Sequence, residues 1–487
     1  MAINTYPITW ECESGGNALN GGGFAPGIPS AGTDYSQQTS PQLTLTDIAT
    51  TDGVNGGIFH ISSTTGGFTA AMIGNLLCIQ HNSTATDWGA GRVIITAVTD
   101  THNITVQAVD NYTLIHMASC AGGHCRVGGC LTSPYLVMGR NNNTSSPWST
   151  EQDSLVYSNA KVWVKGSCPC VDFTAVTTTG LPNAYEVEGY TTTRGDGGPA
   201  TLTLIQEAGS NYIQLGGDYS EWVNLIFDAA SFADVCCNIQ TPSFVLVRNC
   251  TFKNGRTWGI VNSNLGADVT FEECIITLNG NTNMTTPGFP SSGGLAHERG
   301  NGCSYRNLYI NNNKGPGLYV DDAGTFERVR CYNNRGPGIY HDTSSGAFYS
   351  HCVADRNDLS GLLIDGSGVA AECVNCAFTN NGHYGVEQTT ENDSISLNNR
   401  RVVNCAYYNN TSGASHNYPQ GTGAITLTAE PYVNAVSGNF LPNTTAGGGT
   451  LLRGVGVPVY LDVGSDQHQD TGGGTTVRKS ASVSFLE

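Results

Sequence analysis

Apolar residues along this chain follow the spacing of short strands. In Phe244-Val245-Leu246-Val247-Arg248-Asn249-Cys250, Val245 and Val247 fall on one face and Leu246 and Arg248 on the other, and a turn follows; comparable stretches recur through much of the chain. A period of two lines one face of a strand, so each stretch predicts one strand with one buried face. Between these stretches a glycine block returns: Gly315-Pro316-Gly317, Gly336-Pro337-Gly338, Ser360-Gly361 and Tyr384-Gly385. Successive glycines 317, 338, 361 and 385 step by 21, 23 and 24 residues. A unit of that length is too short for a four-stranded propeller blade and lacks the Leu-x-x-Leu-x-Leu pattern of leucine-rich repeats, which leaves coils stacked about 4.8 Å apart in a parallel solenoid.

Two further markers keep the same period. Cys250, Cys274, Cys331, Cys352, Cys376 and Cys405 each follow a strand-like stretch. One residue type at one inward position of successive coils predicts an internal stack, with cysteine serving as a small apolar filler rather than a disulfide partner. Asn312-Asn313, Asn333-Asn334, Asn380-Asn381 and Asn409-Asn410 precede the glycine turns. Asparagine tolerates left-handed backbone angles, and its amide can bond to the next coil, so these residues predict a structural column.

On these residues, the chain resembles right-handed parallel β-helix proteins of pectate-lyase-like fold found in bacterial and phage sequences, mostly without assigned activity. The resemblance extends over residues 60–470. It includes Asn159-Ala160-Lys161-Val162-Trp163-Val164-Lys165-Gly166, Gly189-Tyr190-Thr191-Thr192-Thr193-Arg194-Gly195-Asp196 and the closing segments Glu430-Pro431-Tyr432-Val433-Asn434 and Leu461-Asp462-Val463-Gly464. It implies an all-β, right-handed solenoid of about ten coils with a small N-terminal β-rich region. The expected divisions are an extended arm over 1–60, a β-rich region with a cysteine-containing loop over 61–148, the β-helix over 149–465, and a linker with a strand-like tail over 466–487. A capping-box pattern, Ser149-Thr150-Glu151-Gln152, predicts a short helix over the N-terminal mouth of the solenoid.

Composition narrows the function. A formal charge of −18 with scattered Lys and Arg excludes nucleic acid as the expected partner. No stretch approaches the roughly 18 apolar residues of a membrane span, and Met1 to Pro7 shows no signal-peptide pattern. Both observations suit a virion or extracellular surface component that needs no membrane insertion.

The candidate chemistry is an acidic column after the glycine blocks: Asp321 and Asp322, Asp342 beside His341, Asp365, then Glu387. Carboxylates on stacked coils come within about 5 to 10 Å of one another, the range of paired-carboxylate glycosidases or of a calcium site. Asp321, Asp322, Asp342 and Asp365 are therefore the catalytic candidates, and calcium is the one cofactor left open. Polygalacturonase-like enzymes add Gly-His-Gly and Arg-Ile-Lys motifs, and neither is present here. No metal is expected at Cys120, Cys125 and Cys130 with His124, whose spacing misses the usual zinc pattern. Arg194-Gly195-Asp196 spells an adhesion tripeptide but falls in a coil-corner motif. The expectation is a non-catalytic surface structural and binding protein, such as a virion spike, fibre or decoration component or an adhesin. A surface glycan is the expected ligand, and a homo-oligomer or larger assembly the expected state. The alternative is a polysaccharide lyase or glycoside hydrolase acting on one flank of the solenoid.

Overall fold

The computed structural model describes residues 6–17, 19–50, 57–80, 90–109, 121–132, 160–171, 185–206, 213–215, 219–239, 244–263, 268–281, 290–300, 302–342, 346–365, 371–390, 402–456 and 461–468. The expected capping helix at 149–152 and the tail beyond 468 lie outside the described residues. The described residues form a right-handed parallel β-helix and a small antiparallel barrel set into it. A complete coil contributes one short strand to each of three sheets, which hold 12, 11 and 9 strands in all. One coil runs Gly324–Glu327 in the first sheet, Arg330–Tyr332 in the second and Ile339–His341 in the third. In the first sheet, ten successive parallel strands run from Ala160–Lys165 to Val402–Val403. The turns from first to second sheet, second to third, and third to first are here called the first, second and third corners.

The repeats dictate what fills each position. Phe271, Tyr305, Phe326 and Tyr349 occupy one inward file of the first sheet and stack with centroids 5.0 to 5.6 Å apart. Such side chains stabilise by about 1.5–3 kcal/mol each on burial. Fifteen cysteines of the described residues are buried and unbridged. Cys250, Cys274, Cys352, Cys376 and Cys405 precede second-sheet strands in one file, each thiol donating to backbone carbonyls; Cys376 Sγ, for example, lies 3.4 Å from Tyr349 O. Cys331 is not in that file. It pairs with Ile310 and Ala354 inside the second-sheet strands, and Leu308 and Val329 fill the places the cysteine spacing assigned to it.

At the second corner the asparagine column is continuous. The amides of Asn279, Asn313, Asn334, Asn357 and Asn381 each donate to the next residue's Oδ1, ending at Asn410, over 2.9 to 3.0 Å. Each also reaches a backbone carbonyl of the previous coil, as Asn357 reaches Cys331 O at 2.9 Å. The preceding residue takes the left-handed conformation, Asn333 at φ 54° and Arg356 at φ 51°. Gly317, Gly338, Gly361 and Gly385 stand at equivalent places just beyond. A Cβ on Gly338 would lie 2.8 Å from Gly361 O and 2.7 Å from Asn357 Nδ2, so no side chain fits.

The described part of residues 1–60 is not one extended arm. Thr9–Glu13 pairs in parallel with Ala160–Lys165 and forms the lowest parallel rung of the first sheet, with Gly23–Phe24 antiparallel outside it. Leu43–Thr50 and Ile58–Ser63 open a closed six-stranded antiparallel barrel that ends at Ala121–Val127. The barrel is thus inserted between one rung and the next. At the other end, residues 427–456 and 461–466 return along the second sheet. There Tyr432, Phe440, Leu452 and Val463 cover Tyr332, Val353, Ala377 and Ala406, and Arg330 pairs with Asp466.

Candidate functional site

The third corner gathers most of the acids that the sequence singled out. Strand register aligns Val320, His341 and Ile364, and the next residue of each coil is an acid. The amides of Asp321, Asp342 and Asp365 donate to His297 O, Val320 O and His341 O at 2.8 to 2.9 Å, so the three acids form one file. Glu298 continues it downward beside Asp321, and Thr389 ends it. Glu387 belongs elsewhere. It is in register with Leu363 and His416 on the third sheet, where it accepts a bond from Ser360 Oγ and lies 2.8 Å from His383 Nδ1. Among the described residues no serine–histidine contact completes a nucleophile there.

Most of the file is tied to the fold. Tyr319 OH donates to Asp342 at 3.0 Å, and Tyr340 OH and Thr389 Oγ1 donate to Asp365, each at 2.6 Å. Asp322 turns into the corner and accepts from the amides of Gly300 and Ala323 at 3.2 and 2.7 Å. Asp321 is exposed. Burial, then the charges of Asp342 and Asp322, raise its pKa above the ordinary carboxylate value. Glu298 is raised by burial and by Asp321, and Asp342 by burial, with the Tyr319 bond opposing. Like charges on a file disfavour one another's ionisation, and pairs of this kind are where acid–base chemistry is sought. Among the described residues no three of His, Cys, Asp or Glu converge as a metal site.

Behind the file lie polar residues that sequence reasoning missed. Tyr305 OH meets His297 Nδ1 at 2.9 Å and accepts from Asn262 Nδ2 at 2.8 Å, while His297 Nε2 lies 3.0 Å from Ala323 O. Burial lowers the His297 pKa. The pair recurs two coils on as His341 and Tyr349 at 2.9 Å. Both pairs are eight residues apart, a spacing the sequence displays openly. Beside this corner a groove of about 550 Å³ opens on the first sheet, floored by Gly302, Ala323, Gly324 and Gly346 and walled by Phe348, Arg306 and Glu372. No single coil marks it, because its floor consists of small residues spread over three coils. A second groove of about 430 Å³ lies at the second corner between Lys314, Arg335, Arg356 and Asp358. There Arg335 already pairs with Asp358 at 3.1 Å, and Arg356 with Asp355 and Glu430.

The remaining sequence candidates have structural partners. Arg194 bridges Glu11 at 2.7 Å and Asp34 at 2.9 Å, fastening the lowest rung to the segment before the barrel. Asp196 accepts from the amides of Thr191, Thr192, Thr193 and Gly198, so both charged residues of the Arg-Gly-Asp tripeptide are engaged in bonds within the chain. Cys125 is buried, Cys130 Sγ contacts Glu13 at 3.7 Å, and Cys120 lies outside the described residues.

Comparison with known proteins agrees with the architecture. A family described as "Right handed beta helix region" matches residues 293–439. No curated protein matches the chain. Among solved structures, pectate lyase Pel9A is similar at 13% identity and TM-score 0.42, over 68% of this chain and 95% of that one. The ORF18 protein of Geobacillus virus E2 is similar at 11% identity and TM-score 0.41, over 61% of this chain and 56% of that one, so the chain spans little more than half of its length. The periplasmic alginate epimerase AlgG follows at 12% identity and TM-score 0.32, over 56% and 61%. Likenesses this distant concern the fold alone, and a fold hosts many functions. The chain is, by its matched segment and its own sheets, a right-handed parallel β-helix protein.

Proposed function

We propose that this protein is a non-catalytic structural and binding component of a virion or extracellular surface, a rigid β-helical body that holds a glycan along its third corner. The observation that carries the reading is the commitment of the acidic file. Asp342 and Asp365 are bound by Tyr319 and Tyr340, and Asp322 by two backbone amides, which leaves Asp321 and Glu298 as the uncommitted carboxyls, stacked side by side on one file. A glycosidase needs two carboxyl groups with separate duties on either side of the scissile bond. A homo-oligomer or larger assembly is part of the proposal, because a rigid solenoid presents the same flank repeatedly when copies associate. The test is incubation with neutral and acidic polysaccharides, with products followed by reducing-end and unsaturated-uronate assays, alongside negative-stain imaging of native particles. Binding without products, and the protein visible on a particle or cell surface, is expected. Cleavage abolished by Asp321→Ala would instead establish a polysaccharide lyase or hydrolase, the reading favoured by the raised pKa values of Glu298 and Asp321.

A further inference from the structure

We infer that the third corner binds a linear, uncharged glycan, gripped by the exposed rings of Phe348, Phe244 and Tyr219. This rests on the binding role proposed above and names its ligand class.

Strand register places Tyr219, Phe244, Asp268, Gly302, Ala323 and Gly346 at one position of successive coils, immediately before the first-sheet strands. The first two residues of this file are large exposed aromatics. Tyr219 and Phe244 hold left-handed backbones, φ 62° and 60°, where bulky side chains are strained. They are also 45% and 47% exposed, so burial does not offset that strain.

Their geometry points along the solenoid. The rings stack at 4.7 Å with planes 10° apart, and this separation matches the spacing of coils. The rings therefore lie across the solenoid axis, and the second face of Phe244 looks toward the Asp268 rung. Beyond Asp268 the same file shrinks to Gly302, Ala323 and Gly346, the floor of the groove, and Phe348, 38% exposed, stands on its wall. An aromatic platform followed by a trough of small residues suits a chain of rings with apolar faces and hydroxyl rims.

Charge decides between neutral and acidic chains. Around the trough stand Asp268, Asp321, Asp322 and Glu372, against Arg299 and Arg306, and Arg306 is drawn toward Glu327 at 3.9 Å. On a chain of formal charge −18 this surface repels polyuronates.

The test is isothermal titration of the full chain with linear hexasaccharides at matched ionic strength. The neutral probes are cello-, xylo-, malto- and laminarihexaose; the acidic probes are hexagalacturonate and hexamannuronate. At least one neutral probe is expected to bind and the acidic probes are not. Phe348→Ala and Phe348→Leu should weaken binding by about tenfold, the order expected for loss of one aromatic stacking partner, and Phe244→Ala by a similar or smaller factor. Leu278→Ala, an exposed apolar change at the second corner, should leave it unchanged. Circular dichroism checks that each variant is folded. Binding of no neutral probe, binding of an acidic probe that Phe348→Ala removes, or binding indifferent to both phenylalanines would overturn the inference. Product analysis of the same mixtures separates the two proposals: cleavage of a bound neutral hexasaccharide ends the non-catalytic reading and leaves the binding site standing.

Discussion

The second and third corners of each coil are both turns between short strands, with Asn prominent at one and Asp at the other, yet they resolve the same problem differently. At the second corner every polar side chain in the file has a partner one coil away, and the Asn ladder runs unbroken from 279 to 410. At the third corner the file changes character along the axis, from stacked aromatics through Asp268 to small residues, with an acid file alongside in which like charges face one another. A neutral amide both donates and accepts, so identical residues can satisfy each other indefinitely. A carboxylate only accepts, so a column of acids must recruit tyrosines and amides or remain open to solvent. Regularity therefore marks the corner that holds the solenoid together, and irregularity marks the one available for binding.

The largest effect should follow from breaking the ladder. Asn357→Ala removes two donated bonds, to Cys331 O and Asn381 Oδ1, and the acceptor of Asn334 N and Nδ2. All of these groups are buried, and stranding several costs about 3–5 kcal/mol at roughly 1–3 per group. Urea unfolding followed by circular dichroism measures it, and a loss below about 1 kcal/mol would remove the ladder from the account.

Two glycine substitutions come next and separate space from conformation. Gly338→Ala at the second corner meets Asn357 Nδ2, Ala354 Cβ and Gly361 O at 2.7 to 2.8 Å, and crowding of this kind costs about 1–3 kcal/mol. Gly302→Ala at the third corner meets only Asp268 Oδ1, at 3.0 Å, but has φ 86°, for which about 1 kcal/mol is expected. Equal losses would show that the third corner is packed as closely as the second. Smaller again, Tyr340→Phe removes one bond to the partly exposed Asp365 and should cost about 1 kcal/mol, read as a shift in the same unfolding midpoint.

The same contrast explains what the sequence discloses. The glycine period and the Asn pairs announce the second corner because each position repeats one residue type. Asn279 and Asn357 escaped the pattern because Leu278 and Arg356, rather than asparagine, take the left-handed place before them. Cys331 was filed wrongly because alternation tells inward from outward but not which of two adjacent inward files a residue joins. Three of the acids were legible from their place after the glycine blocks. Glu298 was not, since its coil enters the third sheet through the longer strand Gly293–Arg299 without a Gly-Pro-Gly block. The lowest rung at 9–13 is paired with a strand about 150 residues away, and local pattern carries no record of such a contact.

The smallest prediction concerns pH, and it asks whether the acid file is a liability that the Asn ladder avoids. Burial and neighbouring charge raise the pKa values of Asp321 and Asp342 in the folded chain. Below the ordinary carboxylate range both states hold these protons and the pair is neutral toward folding. As pH rises, the unfolded chain releases them first while the folded chain still holds them, so this contribution to stability falls until the folded groups ionise as well. Both side chains are substantially solvated, which keeps the effect small. Asp321→Asn with Asp342→Asn should flatten the decline in unfolding midpoint between about pH 4 and pH 7, whereas Asn357→Ala should lower the midpoint at every pH and leave the slope alone. A slope that the double substitution leaves unchanged would mean that solvent screens the file completely, and the third corner would then differ from the second in shape but not in electrostatics.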